Sequence, residues 1–307
     1  MQITLNLKKR FCKDMSVPIG IYEEPYFTSR LKLYDPFFNT IDKYENFLEL
    51  LNELGSEKEY FKVYNKLKDD AINYLGSKKA MKKFKQEEDM NKYVIKNKGY
   101  PKKDIYKETF DGKIFVSIDM KKANFTAIKH YDSSIVGGKK TYEDFIRMFT
   151  KYEYFINSKY IRQVIFGNHN PRRQTTYERY LMDKVLTELL TFVPKENIAF
   201  FSNDEIIIDL SGIKVENKHL SNVIKAKAKE GIDLRVEVFE LRKIPDTKGY
   251  VKKFLNKEGV EFKCLNALVM PFVLRAYLGE SIREEDKVFI HEGRLAKLIE
   301  VPNVEIV

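Results

Sequence analysis

Hydrophobic positions in the first third of the chain recur at helical spacing. In NFLELLNELG, Phe47, Leu48, Leu50, Leu51 and Leu54 gather on one helix face, and Gly55 supplies a stop. A second such stretch carries Tyr60, Phe61, Val63, Tyr64 and Leu67. The lysine-dense run SKKAMKKFKQEEDMNKYVIKNKGYPKK that follows reads as an exposed surface. Residues 20–112 are therefore expected to be mainly helical, ending in a linker near 98–112 around Gly99 and Pro101.

From Lys113 the pattern changes. KIFVSIDM is strand-like, a helical stretch is expected from about Thr141 to Phe155, and Tyr160 to Phe166 is an apolar strand candidate. GNHNPRR is a turn-rich loop leading into a helix from about Gln174 to Phe192, where Tyr177, Leu181, Val185 and Leu189 recur every fourth residue. After Pro194, the apolar runs Ile198–Phe201 and Ile206–Ile208 form a hairpin with Asp204 and Glu205 between them. A helix near 217–230 stops at Gly231. Leu234, Val236 and Val238 then alternate with Arg235 and Glu237 as a half-buried strand, and a further hairpin turns at Lys257-Glu258-Gly259. From about Asn266 the chain is expected to be mostly helical.

With 132–167 treated as an insertion, residues 113–241 follow the order β-α-β-β-α-β, a split βαβ unit in an α+β protein. A right-handed first crossover returns the second strand parallel to the first. The end of the strand bearing Asp119 then lies on the same edge as the hairpin tip bearing Asp204 and Glu205. Three unpaired carboxylates at one edge raise each other's pKa, and an oxygen-seeking Mg²⁺ or Mn²⁺ relieves the repulsion. Two such cations ~3.5–4 Å apart serve phosphoryl transfer, which needs charge neutralisation more than a covalent nucleophile.

Charge points the same way. The 307 residues carry a formal net charge of +10, which favours a polyanionic partner. Two cysteines exclude a disulfide scaffold, and four scattered histidines offer no zinc spacing. No apolar run approaches the roughly 18 residues of a membrane helix, and MQITLNLKKRF lacks a secretory apolar segment. A soluble intracellular protein with no membrane partner is expected, cytoplasmic or virion-associated.

FVSIDMKKANFTAI resembles motif A of right-hand palm polymerases, especially reverse transcriptases and RNA-dependent RNA polymerases: an apolar strand ends in Asp119, with basic residues and the aromatic Phe125 after it. FFSNDEIII is similar to their motif C hairpin, GNHNPRRQTTYERYLM stands in the place of motif B, and 217–241 in that of motif D. The resemblance covers roughly 110–265. It implies a palm-like catalytic domain over 113–265, a fingers-like or clamp region over 1–112 and a thumb-like region over 266–307. It further implies a template-dependent polymerase of the viral type, alone or in a replication or transcription assembly, with nucleic acid (RNA or DNA) and nucleoside triphosphates as partners. Asp119 and Asp204, assisted by Glu205, would hold two Mg²⁺ or Mn²⁺; Asn124, Phe125, Lys121, Arg172 and Arg173 would meet the nucleotide.

The chain departs from that pattern in places. Motif C is SNDE rather than a paired-aspartate form, and the motif B region lacks a Ser-Gly or Pro-Gln-Gly signature. Asn124 stands where reverse transcriptases carry a bulky aromatic, leaving room for a ribose 2′-hydroxyl. The same segments also resemble tRNA-His guanylyltransferases, an end-adding alternative, although Met120 replaces their Gly. A non-catalytic nucleic-acid-binding module, its acids a solvated rim, is the third reading.

Overall fold

The computed structural model describes residues 3–86, 92–302 and 304. Among the described residues there are twelve α-helices and eight strands, six of the strands in one antiparallel sheet. None of these helices is long and apolar enough to cross a membrane.

Helix α1 (Leu5–Met15) precedes the expected helical region, which contains α2 (Tyr26–Phe38), α3 (Thr40–Leu54), α4 (Glu57–Ser77) and α5 (Lys79–Lys85). The lysine-dense run is not simply exposed, because Met81 and Phe84 of α5 are buried; its residues 87–91 lie outside the described residues. Side-chain caps define the starts. The Thr4 hydroxyl accepts from the Leu7 N–H and the Ser56 hydroxyl from the Glu59 N–H. Gly55, at φ 78°, closes α3 by returning its N–H to the Leu51 carbonyl.

The sheet has the order β2-β3-β1-β4-β5-β6, where β1 is Ile114–Met120, β2 Ile198–Phe201, β3 Glu205–Asp209, β4 Leu234–Lys243, β5 Tyr250–Phe254 and β6 Val260–Lys263. Strand β1 lies between β3 and β4, antiparallel to both. Its alternation sorts two cores. Val116, Ile118 and Met120 join the large helical core, whereas Phe115 joins Ile207, Phe239, Leu241 and Tyr250 beneath Ile105. Helices α6 (Ala123–Tyr131), α10 (Pro171–Leu189) and α11 (Asn217–Lys229) supply the connections, with α10 packed on α6 and α11.

The segment 132–167 differs from expectation. Its expected single helix is two short ones, α7 (Tyr142–Ile146) and α8 (Glu153–Asn157), and the strand candidate Tyr160–Phe166 is the helix α9 (Lys159–Gly167). Ser158 decides the latter by accepting the Ile161 N–H, after which Ile161, Ile165 and Phe166 face the core at helical spacing. Helix α9 packs against α1, α4 and α6.

The C-terminal region is also less helical than expected. After α12 (Met270–Leu278) comes a hairpin of β7 (Val288–His291) and β8 (Arg294–Lys297). Glu292 and Gly293 both take positive φ, 48° and 76°, the geometry of a tight hairpin turn. Arg30 of α2 holds this hairpin through Asp286 (2.9 Å) and the Val288 carbonyl (3.3 Å), and Arg275 of α12 grips the other Asp286 oxygen (2.9 Å). The large core draws side chains from all three expected regions, running from Leu7 to Leu274.

Candidate active site

Strand β1 ends in Asp119, and cross-strand pairing decides what it meets. Asp119 is the partner of Glu205 in the β1–β3 register, and the next residue, Met120, donates its N–H to the Asp204 carbonyl (2.8 Å). The carboxylates that the sequence separates widely thus meet at one sheet edge. Ser202 builds the turn that presents them: its hydroxyl accepts the N–H of Glu205 (3.1 Å), and its own N–H returns to the Glu205 carbonyl (2.9 Å). Across the ladder the Ser117 hydroxyl donates to Glu205 Oε1 (2.5 Å).

Asp119 is pushed up to about 6, chiefly by burial, with the charges of Glu205 and Asp204 adding to the shift and Arg235 opposing it. The opposing contact is direct, since Arg235 of β4 donates to Asp119 Oδ2 at 2.8 Å.

A cleft of about 720 Å³ opens here. One wall is the reversal after β1, where Lys122 takes φ 47° and the Thr126 hydroxyl donates to the Lys121 carbonyl (2.7 Å). Lys121, Lys122 and Asn124 line that wall, and Lys159 and Arg162 of α9 line another. Glu178 of α10 completes the acidic part. It is pushed up to about 7 by burial and then by the charge of Asp204, against a hydrogen bond from Gln174.

The expected nucleotide-contacting residues divide. Lys121 and Asn124 line the cleft, and the Asn124 carbonyl oxygen accepts the Phe125 N–H (2.9 Å). Phe125 is in the core, 2% exposed, against Tyr142, Phe145 and Phe166. Arg172 and Arg173 are not among the cleft-lining residues. Arg172 is exposed, and Arg173 is buried with its guanidinium over Phe84 and Tyr93 (5.4 and 5.3 Å to the ring centroids). The Asn170 cap starts the helix so that the first-turn arginine faces an aromatic wall.

Lys159, Arg162, Glu178 and Arg235 are charged cleft residues that periodicity did not single out. A strand reading of 160–166 hid the pair on α9, which as a helix sits at i and i+3. Arg235 read simply as the polar alternate of β4.

The donor set at the edge is entirely oxygen, which suits Mg²⁺ or Mn²⁺, and Asp119 already draws a cation, the Arg235 guanidinium. Among the described residues no three or more His, Cys, Asp or Glu side chains are gathered as a metal-ligand group. No family model, no curated protein and no solved structure matches the chain.

Proposed function

We propose that the chain is a palm-type nucleotidyltransferase, a template-dependent nucleic-acid polymerase. The observation that carries this reading is the pairing of Asp119 with Glu205, beside Asp204, at the edge of a cleft whose other walls are cationic. The strand order β2-β3-β1-β4, with helices in both crossovers, is compatible with the β-α-β-β-α-β arrangement of a palm. In the reaction a 3′-oxygen forms a bond to the α-phosphorus of a nucleoside triphosphate, the bond to the pyrophosphate oxygen breaks, and pyrophosphate leaves.

Asp119 and Asp204 would hold the divalent cations, which supply activation of the 3′-hydroxyl and neutralise charge on the leaving group. Glu205, anchored by Ser117, adds negative field at that edge. Lys121 offers a cation to phosphate oxygens, and Asn124, short and polar, leaves space beside a ribose and an amide to hydrogen-bond it. Arg235 keeps Asp119 from standing as an uncompensated buried charge until a cation arrives.

The test is incorporation of labelled NTPs or dNTPs on homopolymer templates with Mg²⁺ or Mn²⁺. Template-matched extension by the wild type, lost in Asp119→Ala, is expected. Addition to unpaired ends without template matching would replace polymerase by an end-adding transferase. A second reading has its own support: the Arg235–Asp119 pair, with no gathered group of three or more such ligands among the described residues, suits a nucleic-acid-binding module with no chemistry. That module would bind template, incorporate nothing and gain no thermal stability from Mn²⁺.

A further inference from the structure

The five cations lining the cleft are not equivalent. Arg235 is held by Asp119 and Lys122 by Glu143, whereas Lys121, Lys159 and Arg162 have no ion-pair partner among the described residues. Arg162 is the informative one. It is partly buried, its Nε is enclosed with no hydrogen-bond partner among the described residues, and the Tyr142 hydroxyl on the neighbouring helix is enclosed and unpaired as well. Tyr142 presents its ring to the guanidinium at 5.6 Å, a contact that leaves the N–H fork unspent. Burial works against the Arg162 charge, and Tyr142 and Glu143 offset only part of that. An arginine does not shed its proton, so the imbalance stays until an anion arrives. Folded proteins seldom leave enclosed donors unpaired.

Lys159 lies one helical turn before Arg162, and Lys121 lines the same cleft from the end of β1. Three unpaired cations around one cavity exceed what a single phosphate needs and suit a chain of phosphates, which a guanidinium fork grips through two oxygens at once. We propose that Arg162, with Lys159 and Lys121, forms a polyphosphate-binding site on the inserted helix α9. The nucleotidyl-transfer reading is needed only to identify the carrier, a nucleoside triphosphate.

The probe is inorganic tripolyphosphate, titrated calorimetrically into the full chain in EDTA, without template. Saturable binding is expected, weakened about tenfold or more in Arg162→Ala by loss of the charged hydrogen bonds. Lys159→Glu removes an exposed side chain, so its fold is kept, and it should weaken binding comparably. Asp119→Asn, which removes a negative charge from the cleft, should bind at least as well as the wild type. Absence of saturable binding overturns the site, as does wild-type affinity in both Arg162→Ala and Lys159→Glu. Displacement by a single-stranded oligonucleotide at equal phosphate concentration overturns the polyphosphate assignment in favour of strand phosphates. Tripolyphosphate binding by a protein that extends nothing keeps this site and removes the polymerase; extension without tripolyphosphate binding does the reverse.

Discussion

Asp119→Asn should stabilise the protein while abolishing the proposed nucleotidyl transfer. Burial and the neighbouring acids move the Asp119 carboxyl from an ordinary 3.8 to about 6. The folded chain therefore holds this proton more tightly than the unfolded chain does. Stability associated with the group is present at low pH and is lost as pH rises from about 4 through about 6. The side chain is 23% exposed and that of Arg235 53%, so solvent screens part of the effect. A displacement of about two pH units corresponds to roughly 3 kcal/mol. Asparagine keeps the shape and removes the charge, so the variant should escape most of that cost, gaining about 2–3 kcal/mol above pH 6. For a chain of this size that is a rise in Tm of about 3–5 °C. The assay is thermal unfolding of both proteins in EDTA at pH 4 and pH 7.5. The curves should coincide at pH 4 and separate at pH 7.5, with the variant the more stable. A gap of equal size at both pH values, or a variant less stable at pH 7.5, would refute the claim that Arg235 offsets only part of the cost of charge at this edge.

Other consequences are independent of that one. Asp286→Ala leaves Arg30 with backbone carbonyls alone and Arg275 with Glu280 as its remaining carboxylate, and should cost about 3 kcal/mol in urea unfolding; a loss under 1 kcal/mol would show that the C-terminal hairpin is not held there. Phe125→Ala should cost about 3–5 kcal/mol as a core truncation, and unchanged stability would return Phe125 to the cleft. If the cleft takes ribonucleotides, Asn124→Tyr should lower the rNTP-to-dNTP incorporation ratio at least tenfold, and exclusive dNTP use by the wild type would end the sugar argument.

Much of the sheet was legible because its signals are local. The apolar, strand-like run KIFVSIDM, alternation in 234–238, and the Asp204-Glu205 interruption between two apolar runs identify β1, β4 and the β2–β3 hairpin, and handedness of the first crossover puts Asp119 and the hairpin tip on one edge. Where the reading failed, short β-branched or aromatic runs were assigned without their caps. Tyr160–Phe166 looks like a strand until Ser158 is seen to start a helix. The β7–β8 hairpin was missed because Glu292, an unusual residue at positive φ, shares the turn with Gly293. At the site, position along the chain marked Lys121 and Asn124. It misdirected Arg172 and Arg173, whose side chains depend on where α10 begins against α5. Long-range partners such as Arg235 and Arg162 come from strand register and from the packing of α9, which no local pattern encodes.

In the proposed reading Asp119 and Asp204 share divalent cations. Electron paramagnetic resonance titration of Mn²⁺ into the metal-free protein at pH 7.5 tests it most directly. Saturable binding in the wild type, lost in both Asp119→Ala and Asp204→Ala and weakened as pH falls below about 6, is the result this account predicts. Free Mn²⁺ signal at every addition, or binding that survives both substitutions, would contradict it.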